Sequence, residues 1–476
     1  MLVLLFFTKD TWFSYDGKIV LNTYVSEHTE ITANYRNDTT SKLLTATGTV
    51  NDKGQVHIKL KGKSISYIKI VTPENLDITK TVFLGKARKD IVLNDNNEYS
   101  IPLKNPGIIH WWCLIILAGL GYYIGWSLTY VLKNGIPLDD KKLPKMLNIE
   151  FLRIVFTLGV VWHHFAGKMN IWNKGELGVE LFFILSGFLL FYTFRPDKTV
   201  GNFIMNKWIR FMPLTLLGGL LVILFVGNLD ITLFIRGLFF IPNNAKLTIM
   251  HNGSSWYLVV LFWLSLLYFY LLKYFKRESV NVFVAISSIL ASVFVCTDSN
   301  IMNDIINVRL MRGIACMGIG YFLVYIYQQL KGKEIIHQFA YNTFEICVFL
   351  FAITNIFYKP LFQGRLFACL TFALVILMFI LKKGVISKFF EKPIFAIMAR
   401  YSLAVYLTHG AVIRMYMEKH KEFCMQNSEL CIPAIFISAI LLGIIAHHMI
   451  EIPATRILTK CINNDETNKK STIMVP

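Results

Sequence analysis

The sequence predicts a polytopic α-helical membrane protein that carries a small N-terminal all-β, sandwich-like domain. Hydrophobic residues make up 55% of the 476 and charged residues only 16%, with a mean hydropathy of +0.51, a balance suited to lipid rather than to a water-soluble core. Against this background residues 8–105 stand out, with 14 Lys/Arg, 11 Asp/Glu, many Thr and Asn, and short alternating runs.

In chain order, the run Met1–Phe7 is apolar but far too short to span a bilayer. It also lacks the basic start and cleavage site of a signal peptide. It reads as the stub of an upstream helix lost to a misassigned start, or as an interfacial anchor. In residues 8–105, Val56, Ile58 and Leu60 share one face of an alternating run that follows the turn signal Asn51-Asp52-Lys53-Gly54. A length on the order of 100 residues suits a small sandwich, and Pro102, Asn105, Pro106 and Gly107 form a breaker cluster after it.

Eleven apolar segments follow, near 108–131, 149–166, 177–194, 211–228, 255–272, 280–297, 313–330, 341–357, 365–381, 398–416 and 432–450. Most approach the roughly 20 residues a helix needs to cross the hydrocarbon. The first is a connecting helix, the other ten belong to a membrane domain at 147–457, and residues 458–476 are a polar tail. Threading the segments alternately puts 21 Lys/Arg in the loops near 133–148, 195–210, 273–279, 329–340, 382–397 and 456–476. The opposite loops hold 7. The positive-inside rule makes the first set cytoplasmic and the β domain extracytoplasmic. The formal net charge of +18 is thus largely a topology signal, which disfavours nucleic acid as a partner. Of the eight cysteines, only Cys424 and Cys431, in one polar loop, are placed to pair, and a short-loop disulfide and two free thiols are both open.

Arg153 and His164 are eleven residues apart on one otherwise apolar stretch. A helix returns to nearly the same face after eleven residues and about 16 Å of rise, so the pair marks a polar track through the membrane. A charge at the bilayer centre costs roughly 2.5–3.5 kcal/mol on insertion scales and usually faces a protein-lined cavity. A snorkelling arginine with an interfacial histidine is the blander alternative.

Several separated segments carry a resemblance. Arg153 and His164 fit a basic residue, ten residues, then His. Gly178-Val179-Glu180-Leu181-Phe182-Phe183-Ile184-Leu185-Ser186-Gly187-Phe188 fits a second-helix signature, and Asn206-Lys207-Trp208-Ile209-Arg210-Phe211-Met212-Pro213 a basic segment ending in Arg-x-x-Pro. Tyr401 to His409 and Ile450-Glu451-Ile452-Pro453 fit the last two helices. In order and spacing these resemble the acyltransferase 3 family over residues 147–457, with Lys207 where Arg is common and Glu180 where Asp is common. The resemblance implies a core of about ten helices in a bacterial-type cytoplasmic (inner) membrane, among membrane lipids. It also implies O-acylation of an extracytoplasmic glycan or glycolipid.

What the resemblance implies residue by residue can be weighed chemically. A sugar hydroxyl needs a positioned base, and His164, at the outer end of its helix, is the expected one. His163 points about 100° away, toward a headgroup or loop contact. An acyl-CoA donor, most simply acetyl-CoA, brings phosphate charge to the inner face, where Arg153, Lys207 and Arg210 are placed to meet it; Lys207 and Arg210 also read as topology signals. Glu180 is expected either to orient the imidazole or to cap its own helix. Ser186 is a covalent acyl carrier or, as a small residue, a packing contact. Trp256, in the outer loop Met250–Tyr257, suits a sugar ring or the membrane interface, and His409 suits the substrate site or an interhelical hydrogen bond. Arg309, Arg312, Glu345, Arg400 and Arg414 are membrane-level charges, some of which should pair with one another. No metal ligand set is expected.

Two rival readings belong to other classes. A transporter or flippase of glycan or lipid precursors also uses many helices with internal charges, but commonly shows internal repeats, which are not evident here. A surface protein in which the β domain acts and the helices only anchor it would not need so many membrane-level charges.

Overall fold

A computed structural model describes residues 13–22, 30–37, 43–49, 55–61, 65–71, 80–84, 98–101, 107–109, 111–133, 146–166, 173–226, 231–242, 247–296, 307–357 and 365–461. The apolar start Met1–Phe7, the turn at 51–54, the breakers Pro102, Asn105 and Pro106, and the tail beyond 461 lie outside the described residues. The chain divides into two compact units, residues 1–120 with 293–308, and residues 121–292 with 309–476.

Among the described residues, the first unit holds eight strands: β1 (Phe13–Asn22), β2 (Glu30–Asn37), β3 (Leu43–Thr49), β4 (Gln55–Lys61), β5 (Ile65–Val71), β6 (Lys80–Leu84), β7 (Glu98–Ile101) and β8 (Gly107–Ile109). One antiparallel sheet runs β4-β1-β6, with β8 also paired to β1, and the other runs β3-β2-β5-β7. Backbone register sets Val56, Ile58 and Leu60 opposite Leu21, Ile19 and Gly17, so the alternation in β4 falls on matching apolar positions of β1. On β3, Thr45, Thr47 and Thr49 are exposed while Ala46 and Gly48 are half-buried, the period of two that one covered face produces.

The helices are α1 (Trp111–Lys133), α2 (Leu147–Ala166), α3 (Gly178–Tyr192), α4 (Val200–Val226), α5 (Ile231–Leu238), α6 (Trp256–Tyr274), α7 (Arg277–Cys296) and α8 (Val308–Leu330). Then come α9 (Gln338–Phe357), α10 (Arg365–Leu381), α11 (Val385–Phe389), α12 (Pro393–Ala399), α13 (Ser402–Lys419), α14 (Lys421–Gln426) and α15 (Ser428–Ala446). A π turn, His447–Glu451, continues α15. Every one of the eleven expected apolar segments coincides with a helix. Among the described residues, seven helices are long and apolar enough to cross a membrane, or eight if α12 and α13, bent by 44° at their junction, form one span. The difference from eleven lies partly in length: the apolar helices Leu114–Thr129 and Arg365–Leu381 are shorter than these.

Glycines set how closely the helices approach. A Cβ on Gly320 of α8 would meet the Ile184 carbonyl oxygen and stand 2.7 Å from Phe188 N, both on α3. On α4, a Cβ at Gly218 would stand 2.5 Å from the Leu407 carbonyl oxygen of α13. Such backbone-to-backbone contacts are how helices associate where lipid removes the hydrophobic drive between them. Polar side chains add fixed points. Asn148 of α2, fully buried, donates to the Phe379 carbonyl at 2.7 Å and the Ser387 carbonyl at 3.2 Å. Glu345, one of the five membrane-level charges of which some were expected to pair with one another, accepts from the backbone N–H groups of Ile386 (2.7 Å) and Ser387 (3.3 Å), satisfying first-turn donors of α11 that have no intrahelical partner.

Because Gly320 has no room for a methyl group and Gly201 of α4 has nothing within 4 Å, the two sites give a matched test of this packing. Gly320→Ala is expected to cost about 1–3 kcal/mol through overpacking, and Gly201→Ala to be neutral or to gain up to about 1 kcal/mol through helix propensity. Thermal unfolding of the detergent-solubilised variants checks this; equal melting temperatures would contradict the close α3–α8 contact.

Candidate active site

The helical unit contains a cavity of about 480 Å³ whose walls include Glu150, Arg153 and Thr157 of α2, Ser186 of α3, Lys207 and Arg210 of α4, Tyr257 of α6 and Tyr406 of α13. The three cations that the sequence marks for a phosphate-bearing donor therefore come together around one space. Arg153 is ion-paired with Glu150 at 2.7 Å, one helical turn away, and its other arm lies 3.5 Å from Ser402 Oγ. The Lys207 ammonium lies 5.6 Å from the ring centres of both Phe203 and Phe211, and the Arg210 guanidinium 5.7 Å from that of Phe211. Aromatic faces hold a cation without neutralising it, so both charges stay available to the cavity.

Ser186 lines this space and also meets α6, its Oγ lying 3.5 Å from Tyr257 Oη. The packing role expected of it falls to the adjacent Gly187, where a Cβ would meet the Met317 backbone. Rings of Phe182, Tyr257 and Tyr406 close together at one end, 5.7–6.5 Å between centres. Thr157, a cavity-lining residue of α2, precedes His164 by seven residues, about 10 Å of helix rise.

Beyond those rings stand the histidines. The exposed His164 lies between two others, with ring centres 5.1 Å from His409 and 5.4 Å from His163. His163 bonds through Nδ1 to Asn173 Oδ1 at 2.9 Å, an oxygen that also accepts from Gly175 N. Asn173 lies in the loop before α3, so of the two contacts expected for His163, a headgroup or a loop, the structure shows the loop contact. His409 is 1% exposed and its Nδ1 is 2.6 Å from the Tyr406 carbonyl, a bond within its own helix rather than between helices. Val161, Phe165, Val405, Val412 and Ile413 form part of one buried cluster and hold α2 against α13 at this level. Among the described residues no group of His, Cys, Asp and Glu is arranged to hold a metal ion.

Glu180 is the main correction to the expected site. Its carboxylate neither orients His164 nor simply caps α3; Oε1 accepts from Arg312 Nε at 2.6 Å and from Arg365 Nη1 at 2.9 Å. Arg365 also reaches Glu176 Oε1 at 2.8 Å. Two carboxylates and two guanidiniums thus neutralise one another, as burial demands. Trp256 is likewise neither an open sugar platform nor an interfacial ring: it is 7% exposed, with the guanidiniums of Arg312 at 4.7 Å and Arg309 at 5.1 Å from its ring centre. Arg312, expected among membrane-level charges that pair with one another, pairs instead with Glu180. Glu176 and Arg365 were not singled out in the sequence; the spacing of four between Glu176 and Glu180, one helical turn, was the available signal.

The loop ahead of α6 enters the helical unit. Ile249 and Met250 are fully buried, and Leu247, Met250 and His251 take positive φ values of 52°, 48° and 60°, conformations that cost energy for residues other than glycine. Asn252 compensates: its Nδ2 donates to the Leu407 carbonyl at 2.9 Å, and its Oδ1 accepts from Ser254 N and Oγ at 3.2 and 2.8 Å. This fixes the start of α6, hence Trp256 and Tyr257, to α13 two residues before His409. Cys424 and Cys431 are buried free thiols, not a disulfide. A second thiol pair, Cys316 and Cys369, has its sulfurs 3.7 Å apart.

Removal of Glu180 takes the carboxylate partner from Arg312 and one of the two from Arg365. Glu180→Ala is therefore expected to lower stability by about 3–5 kcal/mol, seen as a depressed melting temperature and reduced membrane protein level; a folded, wild-type-stable Glu180→Ala protein with lost activity would instead return Glu180 to direct chemistry. A family model described as an acyltransferase domain matches residues 146–448. No curated protein and no solved structure matches the chain. Since the family match covers more than half of the sequence and contains every residue of the cavity and of the histidine cluster, the protein belongs to the acyltransferase 3 family and is a membrane acyltransferase.

Proposed function

We propose that the protein moves an acyl group, most simply acetyl, from cytoplasmic acyl-CoA to a hydroxyl of an extracytoplasmic glycan or glycolipid, from the bacterial-type inner membrane. The observation that carries this reading is the convergence of Arg153, Lys207 and Arg210, from two different helices, on one cavity. Three cations in a confined space suit the phosphates of a CoA thioester, because charge-assisted hydrogen bonds to phosphate are strong and directional, most of all from arginine. The pantetheine arm then extends along α2 past Tyr257 and Tyr406, and the thioester reaches the level of His164. The charge asymmetry of the loops, 21 Lys/Arg against 7, supports a cytoplasmic mouth for the cavity.

In the chemical step His164 takes the proton of the acceptor hydroxyl as its oxygen attacks the thioester carbonyl. The new C–O bond forms, the C–S bond breaks, and the sulfur leaves as thiolate, which recovers a proton to give free CoA. The acceptor enters from the His164 end, where the exposed imidazole faces outward, and the Trp256 and Asn252 region sets the shape of that entrance. The two sheets of the first unit are an accessory extracytoplasmic sandwich that meets the glycan.

The experiment pairs three variants in membrane vesicles. His164→Ala should lower transfer by roughly 10²–10⁴-fold, the range for loss of a general base, with insertion and protein level unchanged. Arg153→Ala and Arg210→Ala should raise the KM for acetyl-CoA with little effect on acceptor dependence. Undiminished transfer by His164→Ala removes the catalytic assignment, and donor titrations that superimpose on wild type remove the donor site.

A further inference from the structure

We infer that His409, rather than Glu180, is the positioning residue that holds the His164 imidazole in its reactive tautomer. The inference deepens the reading of His164 as the base and rests on it. A carbonyl oxygen only accepts, so the 2.6 Å contact between His409 Nδ1 and the Tyr406 carbonyl places the ring proton on Nδ1 and leaves Nε2 with its lone pair. The carbonyl is held in turn, because Tyr406 Oη donates to the Ser254 carbonyl at 3.0 Å, and Asn252 ties the same loop to Leu407. His409 is thus a pre-set hydrogen-bond acceptor, 1% exposed, beside an imidazole that needs one.

The ring geometry fits that bond. His164 and His409 have centres 5.1 Å apart and planes 30° apart. An in-plane N–H···N bond needs about 2.9 Å between nitrogens, and a ring radius at each end brings the centre-to-centre distance to about 5 Å. Closing it takes rotation of the imidazoles and no movement of backbone, in keeping with catalytic hydrogen bonds that tighten only when substrate is bound. One ring N–H of His164 then points to His409 Nε2, and the other nitrogen is left unprotonated toward the acceptor hydroxyl. This is the logic by which a carboxylate fixes the histidine of a hydrolase triad, with a neutral imidazole in the carboxylate's place. The Glu180 carboxylate is engaged elsewhere: its Oε1 accepts from Arg312 and Arg365, while its buried Oε2 has no hydrogen-bond partner among the described residues.

The other titratable or charged groups around His164 are His163, Glu176 and Arg309. Tyr406 stands beside His409, with ring centres 6.0 Å apart. Because the two imidazoles are neighbours, they take up protons as a coupled pair, and a change at His409 must appear in the pH dependence of turnover.

The test uses the full-length protein in vesicles, acetyl-CoA as donor, and as acceptor the surface polysaccharide isolated from cells that lack the protein. CoA thiol release is followed from pH 4 to pH 9. His409→Ala should lower kcat by roughly 10²-fold while leaving the KM for acetyl-CoA unchanged. His409→Gln, whose side-chain oxygen can accept at the position of Nε2, should recover most of that loss and remove one titrating group from the pH–rate profile. An inserted His409→Ala protein with wild-type kcat and pH profile, or a Gln variant no better than Ala, overturns the inference. His164→Ala run in parallel separates the two readings: if it is inactive while His409→Ala is normal, only the positioning role falls, and if it is fully active, the base assignment falls first.

Discussion

The fully buried carboxylate of Glu180 is the fixed point on which the packing of α3, α6, α8 and α10 around it depends. A lone charge at this depth is too costly to keep, so its oxygen gathers Arg312 from α8 and Arg365 from the start of α10, and each of those arginines is itself placed by the need to reach it. Arg312 in turn lies against Trp256, which sets the entry of α6, and Arg365 draws in Glu176 from the turn before α3. That turn is pressed against α2 so closely that a Cβ on Gly175 would meet the Gly159 carbonyl oxygen. The histidines are therefore positioned by an electrostatic frame whose nearest member is Glu176.

On the proposed function, this arrangement keeps a charged, phosphate-bearing donor apart from an exported acceptor. Cations gather at one level of α2 and the imidazoles at the other, and between them stand the rings of Phe182, Tyr257 and Tyr406. On that proposal donor and acceptor bind at separate ends, and the chemistry is confined to the short stretch where the pantetheine arm and the hydroxyl meet. Positioning two reactants in this way accounts for much of a catalysed acyl transfer. The strain held in the loop at residues 247–251, offset by the bonds of Asn252, is consistent with a segment whose shape is set by function rather than by local preference.

Much of this was legible in the sequence, for identifiable reasons. The apolar segments are visible because lipid imposes a length and a composition, and Arg153 and His164 because a spacing of eleven leaves two polar groups on one helix face. Lys207 and Arg210 were marked by a motif, and the cavity that unites them with Arg153 follows from how α2 and α4 pack. The role of Glu180 was not legible, because its partners lie more than a hundred residues away and a carboxylate near a helix start has an adequate local explanation. Trp256 was misread for the same reason: an aromatic residue at a helix start suits an interface, and only tertiary packing brings two guanidiniums onto its ring. His409 was visible as a polar residue in an apolar helix, but its tautomer is set by a backbone carbonyl that only the folded structure identifies.

The account stands or falls on transfer across the membrane. Proteoliposomes of uniform orientation, loaded with unacylated glycan on the His164 side and given acetyl-labelled acetyl-CoA on the Arg153 side, measure it directly. The expected result is label in the glycan only when donor and acceptor are on opposite sides. Equal labelling when both are placed on the His164 side would contradict a donor cavity at the Arg153 end and, with it, the division of labour proposed for the two ends of α2.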